Sequence, residues 1–351
     1  MADWSKPFTA RYRVMRVDRA TGNETAMLDG VTAKSITRNI DSQTYESASI
    51  ETSRDQRLGS DLLRIYLDAE FADGTVETVP LGTFVPNLPK LTRSTGLATG
   101  TIDLDGRLKE ASGTRYPAPV TVPAGVKAVA QAKTVLESCG LTVDAEGSDY
   151  ELSTAWSLGV DESGSEQSKL DDANALLDIA GFSAARTDAM GVVHLRRYVE
   201  PASRPIAKRY EEGRDARFLR EIEDERDASE IANYVVVTYS TSEGTVVGTA
   251  KNEDPGDPYS IPSIGYERCA SYSYDSLVSQ DEADAKARRL LEQQKVVRRV
   301  TVQHIYDGVT CDDAVEMDYP SADMAGRFTV RAQGIECGAG CLVKDEWRAF
   351  E

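Results

Sequence analysis

Two widely separated stretches of this chain alternate apolar and polar residues with a two-residue period, and that pattern constrains the fold more than any other feature. In the first, Leu63, Ile65, Leu67, Ala69 and Phe71 interleave with Arg64, Tyr66, Asp68 and Glu70. In the second, Val300, Val302, His304 and Tyr306 alternate, followed by Val315, Met317 and Tyr319 and then by Phe328, Val330 and Ala332. Successive side chains of a strand point to opposite faces, so each stretch reads as a half-buried strand with one face toward a core. The expectation is a mainly β chain with a helical middle.

Turn chemistry places the neighbouring elements. Residues 38–50 favour β-structure, Asp73-Gly74 is a tight-turn dipeptide, and residues 79–85 supply the return strand of a hairpin. Gly82 within that strand marks a bulge or a close approach. Pro86 and Pro89 break the pattern, and residues 100–104 form one more short strand.

After Pro117, Pro119 and Pro123 the period becomes helical, with Val126, Val129, Ala130, Lys133 and Leu136 near one side and Gly140 as a stop. A second helix is expected over residues 167–180, burying Leu170, Ala173, Leu176, Leu177 and Ala180, with Gly181 in left-handed geometry beyond it. Two short strands, 182–186 and 192–198, are joined by the turn Asp188-Ala189-Met190-Gly191. A third helix, near 280–296, begins with Ser279 and Glu282 as a capping box and continues through Ala283, Ala287, Leu290, Leu291 and Gln294. Asp281, Glu282 and Asp284 near its start, and Lys295, Arg298 and Arg299 at or beyond its end, suit the helix dipole.

These changes divide the chain into a β region, 1–113, an α/β region, 114–200, and a third region, 201–351. The last opens in the charged stretch 209–227, crosses a strand at 233–239 and a loop at 252–258 broken by Pro255-Gly256, and returns to β-structure.

A chain of 351 residues with 40% hydrophobic content can bury two or three cores. Its formal charge of −18 opposes duplex binding, which draws its affinity from Lys and Arg releasing counterions from phosphates. The same acidity serves solubility. Residues 1–7 carry no secretory signal, and no stretch approaches the roughly 18 apolar residues of a membrane span, so a soluble chain made in a cytoplasm is expected. Its five cysteines are too sparse for a disulfide framework and are expected to be reduced.

Asp171-Asp172, Asp312-Asp313 and the run from Glu221 to Glu225 are the carboxylates that invite an acid/base or calcium reading, but none has EF-hand spacing and an acidic chain produces such pairs by chance. Cys337-Gly338-Ala339-Gly340-Cys341 fits a small disulfide loop, two thiolate ligands, or a hairpin turn flanked by two small buried residues. A zinc site would need two further ligands, and Cys311 with His304 is the only supply nearby in sequence. His194 and His304 both sit in strand-like alternation. Nucleophile-elbow, Walker, Rossmann and zincin motifs are missing. No catalytic, cofactor-binding or metal residue is assigned, and a structural protein is expected rather than an enzyme.

Four segments, taken in order, resemble the baseplate or tail-tip hub proteins of tailed phages. That family includes the hub of contractile tails, the hub part of type VI secretion spikes and the N-terminal hub part of siphophage tail-associated proteins. Residues 35–52 with the 62–71 strand, Asp73-Gly74 and Leu81-Gly82-Thr83-Phe84 are similar to the family's first barrel. Trp156-Ser157-Leu158-Gly159, the following helix and the 188–191 hairpin resemble its α/β insertion. Ala232-Asn233-Tyr234-Val235-Val236-Val237 looks like the strand that starts its second barrel. The 279–294 helix, residues 313–318 and Gly326-Arg327-Phe328-Thr329-Val330 complete the order.

The resemblance implies two tail-tube-like β-barrel domains with an α/β insertion between them, and a homotrimer whose six barrels form a pseudo-sixfold ring. The implied partners are the tail tube or distal tail protein on one side and spike, fibre or receptor-binding proteins on the other. Under it the chain is a virion component of the tail tip, and an acidic lumen passes genomic DNA without binding it. Chains of the tail-associated branch often continue into a fibre, peptidase or lysozyme-like region. This sequence runs only to Glu351, so wall digestion and receptor binding are expected of partners. A module recognising host glycan or a partner through the insertion or the 252–258 loop is the competing expectation, and a cell-wall hydrolase using a carboxylate pair is the third.

Overall fold

The alternating stretches from the two ends of the chain lie in the same sheet. The computed structural model describes residues 3–349 except 5, 88–89, 96, 161–164, 215, 227–230, 242–243, 275–277 and 295–297, so the expectations for Pro89 and Lys295 lie outside the described residues. Along its main path the sheet runs Glu223–Arg226, Arg298–Ile305, Leu342–Ala349, Met324–Glu336, Val31–Asn39, Glu46–Thr52, Leu97–Gly106, Val76–Pro86, Leu62–Phe71, Phe8–Val17 and Glu24–Met27. Ala314–Tyr319 and then Ile206–Glu211 branch from Met324–Glu336, and Lys90–Ser94 flanks Leu97–Gly106, making fourteen strands. Mainly β with an α/β insertion is the fold class expected. Among the described residues no ladder closes either half into a ring, and the halves stand as two wings of one sheet.

Met324–Glu336 joins the wings. Residues 324–329 pair with Ala314–Tyr319, and residues 332–336 pair with Ser35–Asn39 of the first wing. Between these ladders the register against Leu342–Ala349 shifts, leaving Arg331 as an extra residue. A bulge of one residue reverses the faces that follow it. Phe328 and Val330 are therefore buried, but beyond the bulge Gln333 and Ile335 turn inward in place of the expected Ala332.

In the first wing, Leu62–Phe71 and Val76–Pro86 form the expected hairpin, closed at Asp73-Gly74 with Gly74 at φ 82°. Leu81 is the extra residue of a bulge, and a Cβ on Gly82 would stand 2.3 Å from the Phe84 ring, so the glycine permits a close approach. The strand Phe8–Val17, left unassigned by periodicity, pairs along the whole of Leu62–Phe71.

The insertion packs Ala128–Glu137 and Lys169–Ile179 with a small sheet of Val143–Ala145, Val193–Leu195 and Arg186–Thr187. The first helix buries Ala128, Val129, Ala132, Val135 and Leu136, whereas Ala130, expected on that face, is exposed. The reason is phase, since a helix starting at Ala128 repeats inward at 132 and 135. The second helix starts in a capping box between Ser168 and Asp171 and is followed by Gly181 at φ 74°. The insertion shares one hydrophobic core with the second wing, while the first wing has its own core, reached by Tyr306, Ile335 and Val343 of the other wing.

Tyr234–Thr241, read from the sequence as the start of a second barrel, instead pairs with Gly244–Lys251 and Cys269–Tyr274 in a separate three-stranded layer. The helix Gln280–Gln294 covers this layer over a private core of Val235, Val237, Tyr239, Ala250, Ala283, Ala287 and Leu291. Its approach is close enough that a Cβ on Gly248 would stand 2.2 Å from the Ala283 carbonyl. Ser279 and Glu282 form the expected capping box, with the Ser279 N–H donating to the Glu282 carboxylate at 2.7 Å.

Candidate functional site

The wings meet at charged groups set on core-facing strand positions. Val31–Asn39 turns Ala33, Ile36 and Arg38 inward, and Glu46–Thr52 turns Glu46, Ala48, Ile50 and Thr52 inward. Arg38 Nη1 donates to Gln333 Oε1 of the shared strand at 2.9 Å, and its Nη2 donates to the Leu81 carbonyl. Gln333 Nε2 donates onward to the Val309 carbonyl at 2.9 Å. Glu46 Oε2 lies 3.8 Å from Arg38 Nε, while its Oε1 accepts from the Thr187 hydroxyl of the insertion at 2.7 Å. One buried network thus ties the first wing, the second wing and the insertion.

Burial pushes the Glu46 carboxyl up to about 7, against the lowering pull of Arg38. Removing one member of such a buried pair leaves the other charge uncompensated, which makes the node intolerant of change. The 188–191 turn adds a second tie, because Arg64 donates to the Met190 carbonyl at 3.2 Å and Thr83 Oγ1 to the Ala189 carbonyl at 2.9 Å. No residue of this node was singled out from the sequence. The signal was a charged residue at an inward position of an otherwise alternating strand.

At the far ends of the path, Glu24–Met27 and Glu223–Arg226 each pair on one side only among the described strands. Such edges offer unpaired backbone groups to another chain, and their charged residues guard against indiscriminate pairing. Glu24 is held by Arg64 at 2.9 Å and Asp224 by Arg298 at 2.7 Å.

The carboxylates weighed as chemistry take structural roles. Asp171 caps its helix, and buried Asp172, pushed up to about 6 by burial, accepts from the Gly159 N–H at 2.8 Å. Asp312, at φ 77°, holds Arg186 at 2.6 Å and Arg204 at 2.5 Å, and Asp313 accepts from the Thr310 N–H at 2.9 Å. The 221–225 run ends in the edge strand Glu223–Arg226.

His194 stands between Asp188 at 3.0 Å and Asp144 at 3.2 Å. His304 is buried with Nδ1 facing the Ile305 carbonyl at 2.9 Å and Nε2 facing Asp345 at 3.0 Å. Two acceptors at the two ring nitrogens favour the imidazolium. Burial lowers its pKa, but the Asp345 hydrogen bond and charge prevail and raise it.

Cys337 and Cys341 flank the tight connection into Leu342–Ala349 as free thiols, pushed up to about 12 and about 11 by burial. Cys311 is likewise buried and free. Among the described residues no group of three or more His, Cys, Asp or Glu is placed to hold a metal ion, and no helix is long and apolar enough to cross a membrane.

This fold is similar to that of solved tail proteins. The tail protein from Neisseria meningitidis MC58 superposes with a TM-score of 0.66 at 12% identity, covering 96% of this chain and 96% of that one. The prophage MuSo2 tail protein from Shewanella oneidensis gives 0.66 at 12% identity, over 96% of this chain and 98% of its own. A chain of the Francisella PdpA–VgrG complex gives 0.59 at 9% identity, over 98% of this chain and 58% of that one. No protein-family model and no curated protein matches the sequence. In fold, the chain's neighbours are phage and prophage tail proteins and VgrG spike proteins, the group that the four sequence segments resemble.

Proposed function

We propose that this chain is a structural virion protein that forms a trimeric hub ring at the distal end of a phage tail. It joins the tail tube or distal tail ring to the spike, fibre or receptor-binding proteins, and it lines the passage for genomic DNA. The observation that carries this reading is the continuous fourteen-stranded sheet with a one-sided edge at each end of its path. A protomer built this way supplies a rigid wall segment, and cyclic symmetry pairs its edges and stops assembly at a fixed copy number. The formal charge of −18 supports passive passage, since an acidic wall repels the phosphate backbone.

The role is assembly rather than catalysis: the carboxylates raised as acid/base candidates cap helices, anchor backbone or hold arginines. The test is the mass of the purified protein, alone and mixed with its neighbouring tail proteins. A trimer is expected, and a stable monomer in every mixture would contradict the reading. Activity against cell-wall polymer in a zymogram would contradict the structural role.

A further inference from the structure

A cavity of about 480 Å³ opens where all four parts of the molecule meet: the loop after Val31–Asn39, the insertion, the helix Gln280–Gln294 and the second wing. In a chain of net charge −18, five arginines line it: Arg186, Arg204, Arg289, Arg331 and Arg348. Three aspartates hold them in pairs. Asp312 takes Arg186 and Arg204, Asp41 takes Arg331 and Arg348, and Asp178 takes Arg289 together with Lys286 from behind. Each aspartate thus faces two cations, and the remaining acidic lining residues, Glu200 and Glu292, are solvent-exposed.

The guanidinium groups are not used up by these pairings. Arg186, Arg331 and Arg348 each bring one terminal nitrogen to an aspartate, and their Nε groups are buried without a hydrogen-bond acceptor. Glu346 stands 3.5 Å from Arg348 Nε as an ion-pair neighbour without hydrogen-bonding it. The Thr329 hydroxyl on the same wall is also buried and unsatisfied. These four atoms are sealed from solvent, so they show that the neighbouring ion pairs leave the arginines under-satisfied. The donors left for a ligand are the second terminal nitrogens of these partly exposed side chains, Arg186 Nη2, Arg331 Nη1 and Arg348 Nη1. Arginine's planar fork matches carboxylate and phosphate oxygens. Ile40, Phe182 and Tyr198 add apolar and aromatic wall beside it.

We propose that this cavity binds an oxyanion group, a phosphate or a carboxylate, through the spare guanidinium donors of Arg186, Arg331 and Arg348, and that the bound anion clamps the four parts together. The inference rests on the cavity's chemistry and stands or falls separately from the hub role.

Calorimetric titration of the full chain with inorganic phosphate, and separately with glutarate, at an ionic strength matched with sodium chloride, tests it. Saturable binding of one anion per chain is expected, with a rise in melting temperature beyond the chloride control. Tighter phosphate binding identifies a phosphoryl ligand, and tighter glutarate binding a carboxylate. Arg331→Gln and Arg348→Gln are expected to weaken binding about tenfold or more, as loss of a charge-assisted hydrogen bond requires. Ala202→Trp, at an exposed position of the lining, is expected to block binding with every arginine in place, and it decides the matter if an arginine variant does not fold. Binding of neither anion above the chloride control, or equal affinity in the wild type and every folded variant, would overturn the proposal.

Discussion

The shared strand and the small three-stranded layer are attached to the rest of the molecule in opposite ways. Met324–Glu336 enters the first wing by a backbone ladder and is reinforced by the buried Arg38, Glu46 and Gln333 network. The layer around Tyr234–Thr241 keeps its own core and reaches the insertion by side chains, with Lys286 and Arg289 gripping Asp178. A ladder with a buried polar node couples two parts so that they unfold together, whereas a partly exposed charge clamp lets a part open on its own. The wings therefore form one cooperative wall, and the layer is an appendage to it.

The strongest way to break this comparison is to damage one wing and watch the other. Trp347 is fully buried in the second wing, 5.0 Å from the Tyr210 ring and 5.8 Å from Phe328. Trp347→Ala is expected to cost about 3–5 kcal/mol. Made in a Trp156→Phe background, it leaves Trp4, packed against Phe71 of the first wing and Tyr306 at its seam with the second, as the one fluorescent tryptophan. In a denaturant titration the Trp4 signal should shift to a lower midpoint with the rest of the chain; an unchanged midpoint would show that the wings are independent.

Next in size is the node itself. Arg38→Met strands Glu46 in the core and is expected to destabilise by about 3 kcal/mol, the lower end for a broken buried pair. Circular dichroism melts would check this, and a loss below about 0.5 kcal/mol, the range of neutral surface changes, would remove the node from the coupling.

Asp178→Ala sharpens the other side of the comparison. Intermediate between exposed and buried pairs, its expected cost is about 1–2 kcal/mol, confined to the appendage. Cleavage in the 252–258 loop by a protease should accelerate about five- to thirtyfold with little change in the global midpoint.

The node also sets a pH dependence. Because burial raises the Glu46 pKa from 4.5 to about 7, the folded chain holds that proton more tightly than the unfolded one. The associated stability is fully present below 4.5 and is lost as pH rises toward 7. Glu46→Gln should flatten that decline in denaturant midpoints measured across the window; identical slopes in wild type and variant would exclude Glu46 as its source.

Much of the local structure was legible in the residues: the 62–71 alternation, the Asp73-Gly74 turn, Gly181 beyond its helix and the Ser279 capping box all act over a few neighbours. What joins the parts was not. Alternation over Phe328, Val330 and Ala332 shows a strand, but neither that it runs on to Glu336 nor that its partner there is Val31–Asn39, because pairing is settled by a whole face and not by local preference. The bulge at Arg331 leaves no periodic trace, so Ala332 was assigned the wrong face. Tyr234–Thr241 carries the same apolar run that any buried strand would, which is why its separate sheet was missed. Arg38 and Glu46 stood out only as charges on inward faces, and their meaning appears once Gln333 and Thr187 are brought beside them.

Native-state hydrogen exchange of the amides in residues 35–39 and 332–336 tests the single-wall claim most directly. Those amides are expected to exchange only through global unfolding, at the same free energy as Leu62–Phe71, a strand paired on both sides within the first wing. Exchange of both segments at a distinctly lower free energy, with each wing keeping its own protection, would contradict it.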